Sequence, residues 1–154
     1  TIQCIATDHA PHTLEAKSLG FPQAPSGMPG VETSLPVMLN YVNEGRCSLE
    51  DVVRWMSTNV ADCYRMVGKG KLELGYDGDI VLVDMNHSAV VEDENSWTRV
   101  GWNPFRGREL TGWPVLTVVE GVPVFERSEG TGQKGRLLVE PGAVGKPLLM
   151  EPWK

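Results

Sequence analysis

The segment Thr7-Asp8-His9-Ala10-Pro11-His12 places one carboxylate and two imidazoles in a short run of polar, turn-prone residues. A carboxylate in such a place can ligate a metal ion and exchange a proton with metal-bound water, because the ion lowers that water's pKa toward neutrality. The competing reading makes Asp8 a loop cap and the histidines surface residues, and spacing alone favours it. One aspartate with one or two nearby histidines is also a poor zinc site, since stable sites use three or four ligands.

The elements around this run give it a setting. Ile2, Cys4, Ile5 and Ala6 form a short apolar, β-prone stretch directly before it, the pattern of a buried parallel strand that ends in a loop. In a β/α barrel that strand end is the face where catalytic groups gather. Residues 13–30 show no sustained period and contain Pro22, Pro25, Pro29, Gly20, Gly27 and Gly30, which predicts a long ordered loop of the kind that usually serves function.

Three helices are predicted next. The first covers about Ser34 to Glu44, with Leu35, Met38, Leu39 and Val42 on one face, Pro36 in its first turn and Gly45 as its stop. The second opens on the capping box Ser48-Leu49-Glu50-Asp51 and lines up Leu49, Val52, Val53 and Met56. The third starts near Thr58 or Asn59 and buries Val60, Cys63, Tyr64 and Val67 before Gly68. Beyond Gly68 the pattern turns to β structure. Ile80 to Val83 reads as a strand, Val115–Val119 and Val122–Phe125 as a hairpin across Glu120-Gly121, and Leu137 to Val139 as a short strand in a Gly-, Pro-, Lys- and Glu-rich tail. His87, after Asn86, is expected in an exposed turn.

Composition limits the function classes. With 14 Lys+Arg against 20 Asp+Glu the net charge is -6, and the acids are spread along the chain, which argues against a nucleic-acid surface. Cys4, Cys47 and Cys63 lie far apart and in no C-x-x-C spacing, so neither a disulfide framework nor a structural zinc knuckle is indicated, and a reducing, cytoplasmic setting fits. No apolar run approaches the roughly 18 residues of a membrane span. The first residues lack the pattern of a signal peptide, and the chain opens as if in mid-domain.

The blocks TDHAPHTLEAK, PSGMPGVETSLPVML, SLEDVVRWMSTN, GKGKLELGYDGDIVLVD and GWNPFRGRELTGWPV, in this order over residues 1 to about 125, resemble the C-terminal portion of dihydroorotases of the amidohydrolase superfamily. The resemblance implies an α/β fold, here the C-terminal remnant of a (β/α)8 barrel over residues 1–67. Part of a small β-sandwich would follow over 68–126, and an extension over 127–154 lying on the surface or on another subunit. It implies the zinc-dependent, reversible cyclisation of N-carbamoyl-L-aspartate to dihydroorotate in pyrimidine biosynthesis, with two zinc ions in an intact active site.

By the same resemblance Asp8 is a metal ligand and the proton shuttle between the bridging hydroxide and the ring nitrogen. His12 binds the substrate carboxylate, and the backbone at Pro25-Ser26-Gly27 meets the pyrimidine ring, although a plain turn reads nearly as well there. No direct role is carried over for His9. Glu15 and Lys17 are assigned to loop order, and Glu32 and Thr33 to the loop–helix junction. Hydantoinase, dihydropyrimidinase and allantoinase relatives share several blocks but differ after the aspartate–histidine pair, where Ala10-Pro11-His12 points to dihydroorotase. Val60 and Asp62-Cys63 depart from the family pattern at a helix start. The family's remaining metal ligands are expected upstream of Thr1. The 154 residues alone are therefore expected to be inactive, to hold no tight zinc, and to form a homo-oligomer or pair with a partner such as aspartate transcarbamoylase. A reading from another class is a non-catalytic, dihydroorotase-like interaction subunit.

Overall fold

The computed structural model describes residues 2–128, 133–140 and 142–152. Thr1 and residues 129–132, 141, 153 and 154, most of which belong to the expected C-terminal extension, lie outside the described residues.

Ser48 closes a helix start with both halves of a capping box. Its hydroxyl accepts from the Asp51 amide at 3.1 Å, and the Asp51 carboxylate accepts from the Ser48 amide at 3.0 Å. Two donors that a helix N-terminus leaves without partners are so satisfied. From this cap α3 (Leu49–Val53), a π-helical stretch at Arg54–Thr58 and α4 (Asn59–Tyr64) follow one another without a break. The two helices predicted on either side of Ser57 are therefore joined, because an inserted π turn absorbs the change in apolar phase that reads as a boundary. The helix stops at Arg65, whose φ is 55°, and not at Gly68. Ala61 is buried, whereas Cys63, Tyr64 and Val67 are exposed.

Earlier in the chain the loop over 13–30 contains only one helical turn, α1 (Leu14–Lys17), capped by the Thr13 hydroxyl. The strand expected at Ile2 to Ala6 has no sheet to join among the described residues. The Ile5 amide donates instead to the carbonyl of Trp55 on the helix, at 3.0 Å, and the Gln3 carbonyl accepts from the Asn59 side-chain amide at 2.7 Å. A strand exists only through pairing, and an apolar run without a neighbouring strand stays irregular.

Four strands form one antiparallel sheet in the order β1 (Ile80–Val90), β2 (Glu109–Val119), β3 (Val122–Glu126), β4 (Arg136–Leu137). The expected hairpin is present. Glu120 and Gly121 both take positive φ, 51° and 80°, the geometry that matches the twist of two hairpin strands. β1 runs further than the apolar Ile80–Val83 and takes in Asn86 and His87. His87 is thus in a strand, half-buried, edge-on to Trp113 at 6.4 Å.

α2 (Ser34–Asn43) lies on β2. It buries Pro36, Val37, Leu39 and Asn40, so of the expected stripe Leu35, Met38, Leu39 and Val42 only Leu39 is buried and the inner face is rotated toward Pro36 and Val37. Two asparagines account for the rotation. The β1–β2 register shifts between Asp84 and Ser88, and where the ladder breaks Asn43 donates to the carbonyls of Met85 (3.0 Å) and Thr111 (2.9 Å), while Asn40 accepts from the Thr111 amide at 2.9 Å. Buried backbone groups must find partners, and these side chains supply them. Gly112 permits the approach, since a Cβ there would stand 2.6 Å from the Leu39 Cβ. Val37, Ala89, Val91, Leu110 and Trp113 form the core, flanked by Tyr41 and Phe105. Helix and sheet residues therefore share one core across the boundary expected near Gly68.

Within the chain Leu39 and Val52 are covered, at 1% and 2% exposure. What stays open is a groove of about 690 Å³ between Leu35, Leu49, Val53, Met56, Ile80 and Val81. The described tail folds back on its own chain: β4 pairs with β3, and the amides of Val67 and Glu151 bond to the carbonyls of Leu149 and Arg65.

Candidate active site

The segment 8–12 is held by its neighbours' backbone. Asp8 has φ 43°, a conformation in which aspartate is among the few tolerated side chains and which recurs at functional sites. His9 then turns its Nδ1 to the amides of Gly30 (3.2 Å) and Val31 (3.3 Å), while the Ala10 amide donates to the Met28 carbonyl at 3.1 Å. Accepting two N–H bonds fixes Nδ1 as the unprotonated ring nitrogen. His9 is therefore a tie between two stretches of chain.

The loop that returns to this segment has its own clamp. The Lys17 ammonium donates to the carbonyls of Pro25 (2.8 Å) and Gly27 (3.1 Å), charge-assisted bonds that hold both peptide groups in one orientation. Gly27 has φ 101°, and a Cβ at that position would lie 2.7 Å from both the Cβ and the carbonyl oxygen of Ala10. The close approach that glycine permits here is thus to the chain's own backbone.

These segments form the walls of an open cleft of about 430 Å³ whose lining includes Asp8, Lys17, Gly27, Met28, Trp102 and Pro104. Of the residues singled out from sequence, Asp8 and Gly27 share the lining, and Pro25 is joined to it through Lys17. His12 connects through its backbone, where its carbonyl accepts from the Trp102 indole N–H at 2.8 Å. Trp102 was not anticipated. It lies ninety positions beyond His12, and no spacing rule relates the two. The segment that carries it is anchored by Glu32, whose carboxylate accepts from the amides of Trp97 (2.8 Å) and Thr98 (2.7 Å), and by Asp93, which accepts from the Asn103 amide at 2.8 Å. Glu32 thus ties the helix start to that segment.

Chemically the cleft offers one carboxylate, one ammonium already engaged by two carbonyls, and aromatic and apolar walls. Among the described residues no group of three or more histidines, cysteines, aspartates or glutamates could hold a metal ion. Asp8 is one donor, and the residues present do not by themselves make a metal centre. Also among the described residues, no helix is long and apolar enough to cross a membrane.

The model of the amidohydrolase family matches residues 1–124. A dihydroorotase from Pyrococcus furiosus is 37% identical over 142 residues, covering 92% of this chain and 33% of its own length. One from Anoxybacillus flavithermus is 41% identical over 132 residues, covering 84% and 30%. Among solved structures, the dihydropyrimidinase from Brevibacillus agri superposes with a TM-score of 0.76 at 30% identity, over 79% of this chain and 28% of that one. The L-hydantoinase from Arthrobacter aurescens gives 0.69 at 38% identity, over 77% and 25%. The chain spans about a third of the length of the curated relatives it matches.

Proposed function

The chain belongs to the amidohydrolase family, and from that premise we propose that it forms the part of a dihydroorotase carrying the proton-transfer carboxylate and one wall of the substrate site. The observation that carries this reading is the cleft in which Asp8 faces the clamped loop of Pro25 and Gly27. The reaction is hydrolysis of a cyclic amide and its reversal. Water adds to the ring carbonyl, the C–N bond breaks, and one proton moves from the attacking water to the departing ring nitrogen. Asp8 is the group that takes and returns that proton. His12 supplies a charge-assisted hydrogen bond to the substrate carboxylate, and the peptide groups at 25–27 align the ring's polar edge.

Amidohydrolases and the curated relatives are in general metal-dependent. Zinc is part of the proposal as a group to which Asp8 contributes one ligand and other parts of a longer assembly contribute the rest, so no step is derived through it. The working unit is proposed to be cytoplasmic and oligomeric, with aspartate transcarbamoylase as a candidate partner. The division into barrel residues 1–67, sandwich residues 68–126 and extension 127–154 belongs to the same proposal.

A hydantoinase- or dihydropyrimidinase-type activity is the second reading, favoured by the superposed structures. His12 separates the two, because a substrate bearing a carboxylate gains from a cationic partner that hydantoin does not use. The test is turnover by the full-length gene product. It should hydrolyse dihydroorotate in preference to hydantoin or dihydrouracil. Asp8→Asn should abolish turnover while leaving the circular dichroism spectrum unchanged. His12→Ala should weaken substrate binding by roughly 1.5–3 kcal/mol, the value of a hydrogen bond to a charged group. Near-normal kcat in Asp8→Asn would refute the mechanism.

A further inference from the structure

The cleft has a wall that comes from the sheet side of the molecule. Trp102 lines it together with Asp8, is half-buried, and donates its indole N–H to the His12 carbonyl at 2.8 Å. We propose that Trp102 is a positioning residue for His12, and that through it the segment 97–104 sets where the substrate's anionic group is received.

Three features support this. First, among the described residues the Trp102 indole N–H is the hydrogen-bond partner that holds the His12 backbone. A side chain that must meet a ligand group within a fraction of an ångström needs its backbone fixed. Second, the segment bearing Trp102 is itself secured at both ends. Glu32 accepts from Trp97 and Thr98, and Asp93 accepts from Asn103, the residue next to Trp102. Asn103 is buried and closes its own turn by accepting from the Phe105 amide at 3.0 Å. The indole therefore projects from a stiff base. Third, Glu32 precedes α2, so the helix, the sheet-side segment and the cleft are joined in series by side chain-to-backbone bonds.

The inference rests on the reading of His12 as a substrate-binding group, and the experiment separates the two. Trp102→Phe keeps a smaller aromatic wall and removes the indole N–H. In the 154-residue chain, which contains only His9, His12 and His87, histidine side-chain NMR should show the His12 imidazole resonances displaced by Trp102→Phe, with those of His87 in place. In the full-length gene product the same change should raise KM about tenfold, the order of one lost hydrogen bond to a part-buried carbonyl, with kcat within about twofold. In the His12→Ala background it should have no further effect, because a residue acting only through His12 has nothing left to act on. Unmoved His12 resonances, or an equal KM penalty with and without His12, would overturn the proposal. Absence of dihydroorotate turnover would overturn the substrate reading instead, and the NMR result would still decide whether Trp102 positions His12.

Discussion

At the scale of single residues, the cleft depends on contacts that short substitutions would break. Gly27 combines a positive φ of 101° with a position where any Cβ would overlap Ala10. Gly27→Ala should therefore cost about 1–3 kcal/mol. The loss should appear as a lowered thermal midpoint and as faster proteolysis at Phe21, which is 97% exposed on the same loop. Gly20 has open space around it and no unusual φ, so Gly20→Ala in that loop should be nearly neutral, and a comparable loss there would remove the steric explanation. Asp8, His12, Pro25 and Gly27 were marked as candidates by the resemblance in sequence, and of these Asp8 and Gly27 line the cleft. The relation of the four to one another was not marked there, because it runs through Lys17 and Trp102, whose roles come from where their donor atoms end up.

At the scale of elements, the β2–β3 hairpin is anchored from outside. Asp79 accepts from the Glu120 amide at 2.8 Å and pairs with Lys69, which also pairs with Asp77 at 3.0 Å. The Lys69 ammonium, and after it the Glu120 amide, hold the Asp79 carboxyl below the usual carboxylate range. A carboxyl with a depressed folded-state pKa stabilises the protein at pH values above its unfolded pKa, and that contribution fades as pH falls through the folded one. Asp79→Asn should thus lower stability at pH 7 by about 1 kcal/mol, a figure already reduced for the solvent screening of a part-exposed pair. The difference should close as pH drops below about 4. Urea midpoints of variant and parent at both pH values test this, and a penalty unchanged by pH would mean that charge is not the cause.

At the scale of the whole molecule, the core is shared between α2 and the sheet, yet much apolar surface remains outside it. Val53, Val81 and Leu82 are 52%, 47% and 48% exposed. Ile80 to Val83 lies on β1, an outer strand of the sheet, where unpaired backbone groups invite another chain. An open apolar groove of this extent is unusual on a free monomer. The 154-residue chain studied alone should elute above its monomer mass, retain no stoichiometric zinc, and show no dihydroorotate hydrolysis, because Asp8 is the single carboxylate lining the cleft among the described residues and no imidazole or thiol joins it there. Size-exclusion chromatography, a zinc assay and an activity assay on one preparation would check all three. A monomeric, zinc-loaded, active chain would refute the shared-site reading.

What the sequence determined by itself was local and chemical. The capping box at Ser48, the hairpin across Glu120-Gly121, the helix stop at Gly45 and the polar run at 7–12 each follow from residues within a few positions of one another, where the backbone's own geometry decides. Family membership was legible too, because ordered blocks survive in the sequence. Tertiary structure alone decided the rest. Among the described residues Ile2 to Ala6 has no strand partner, a π turn fuses two predicted helices, and Asn40 and Asn43 rotate α2 so that Pro36 and Val37 join the predicted Leu39 in burial. Cys4 and Cys63, far apart in sequence, come close enough that Cys63 adds to the effect of burial in raising the Cys4 thiol pKa. Trp102 reaches back to His12. Each of these outcomes was set by a partner distant in the chain, and spacing carries no information about which distant backbone group a side chain will meet.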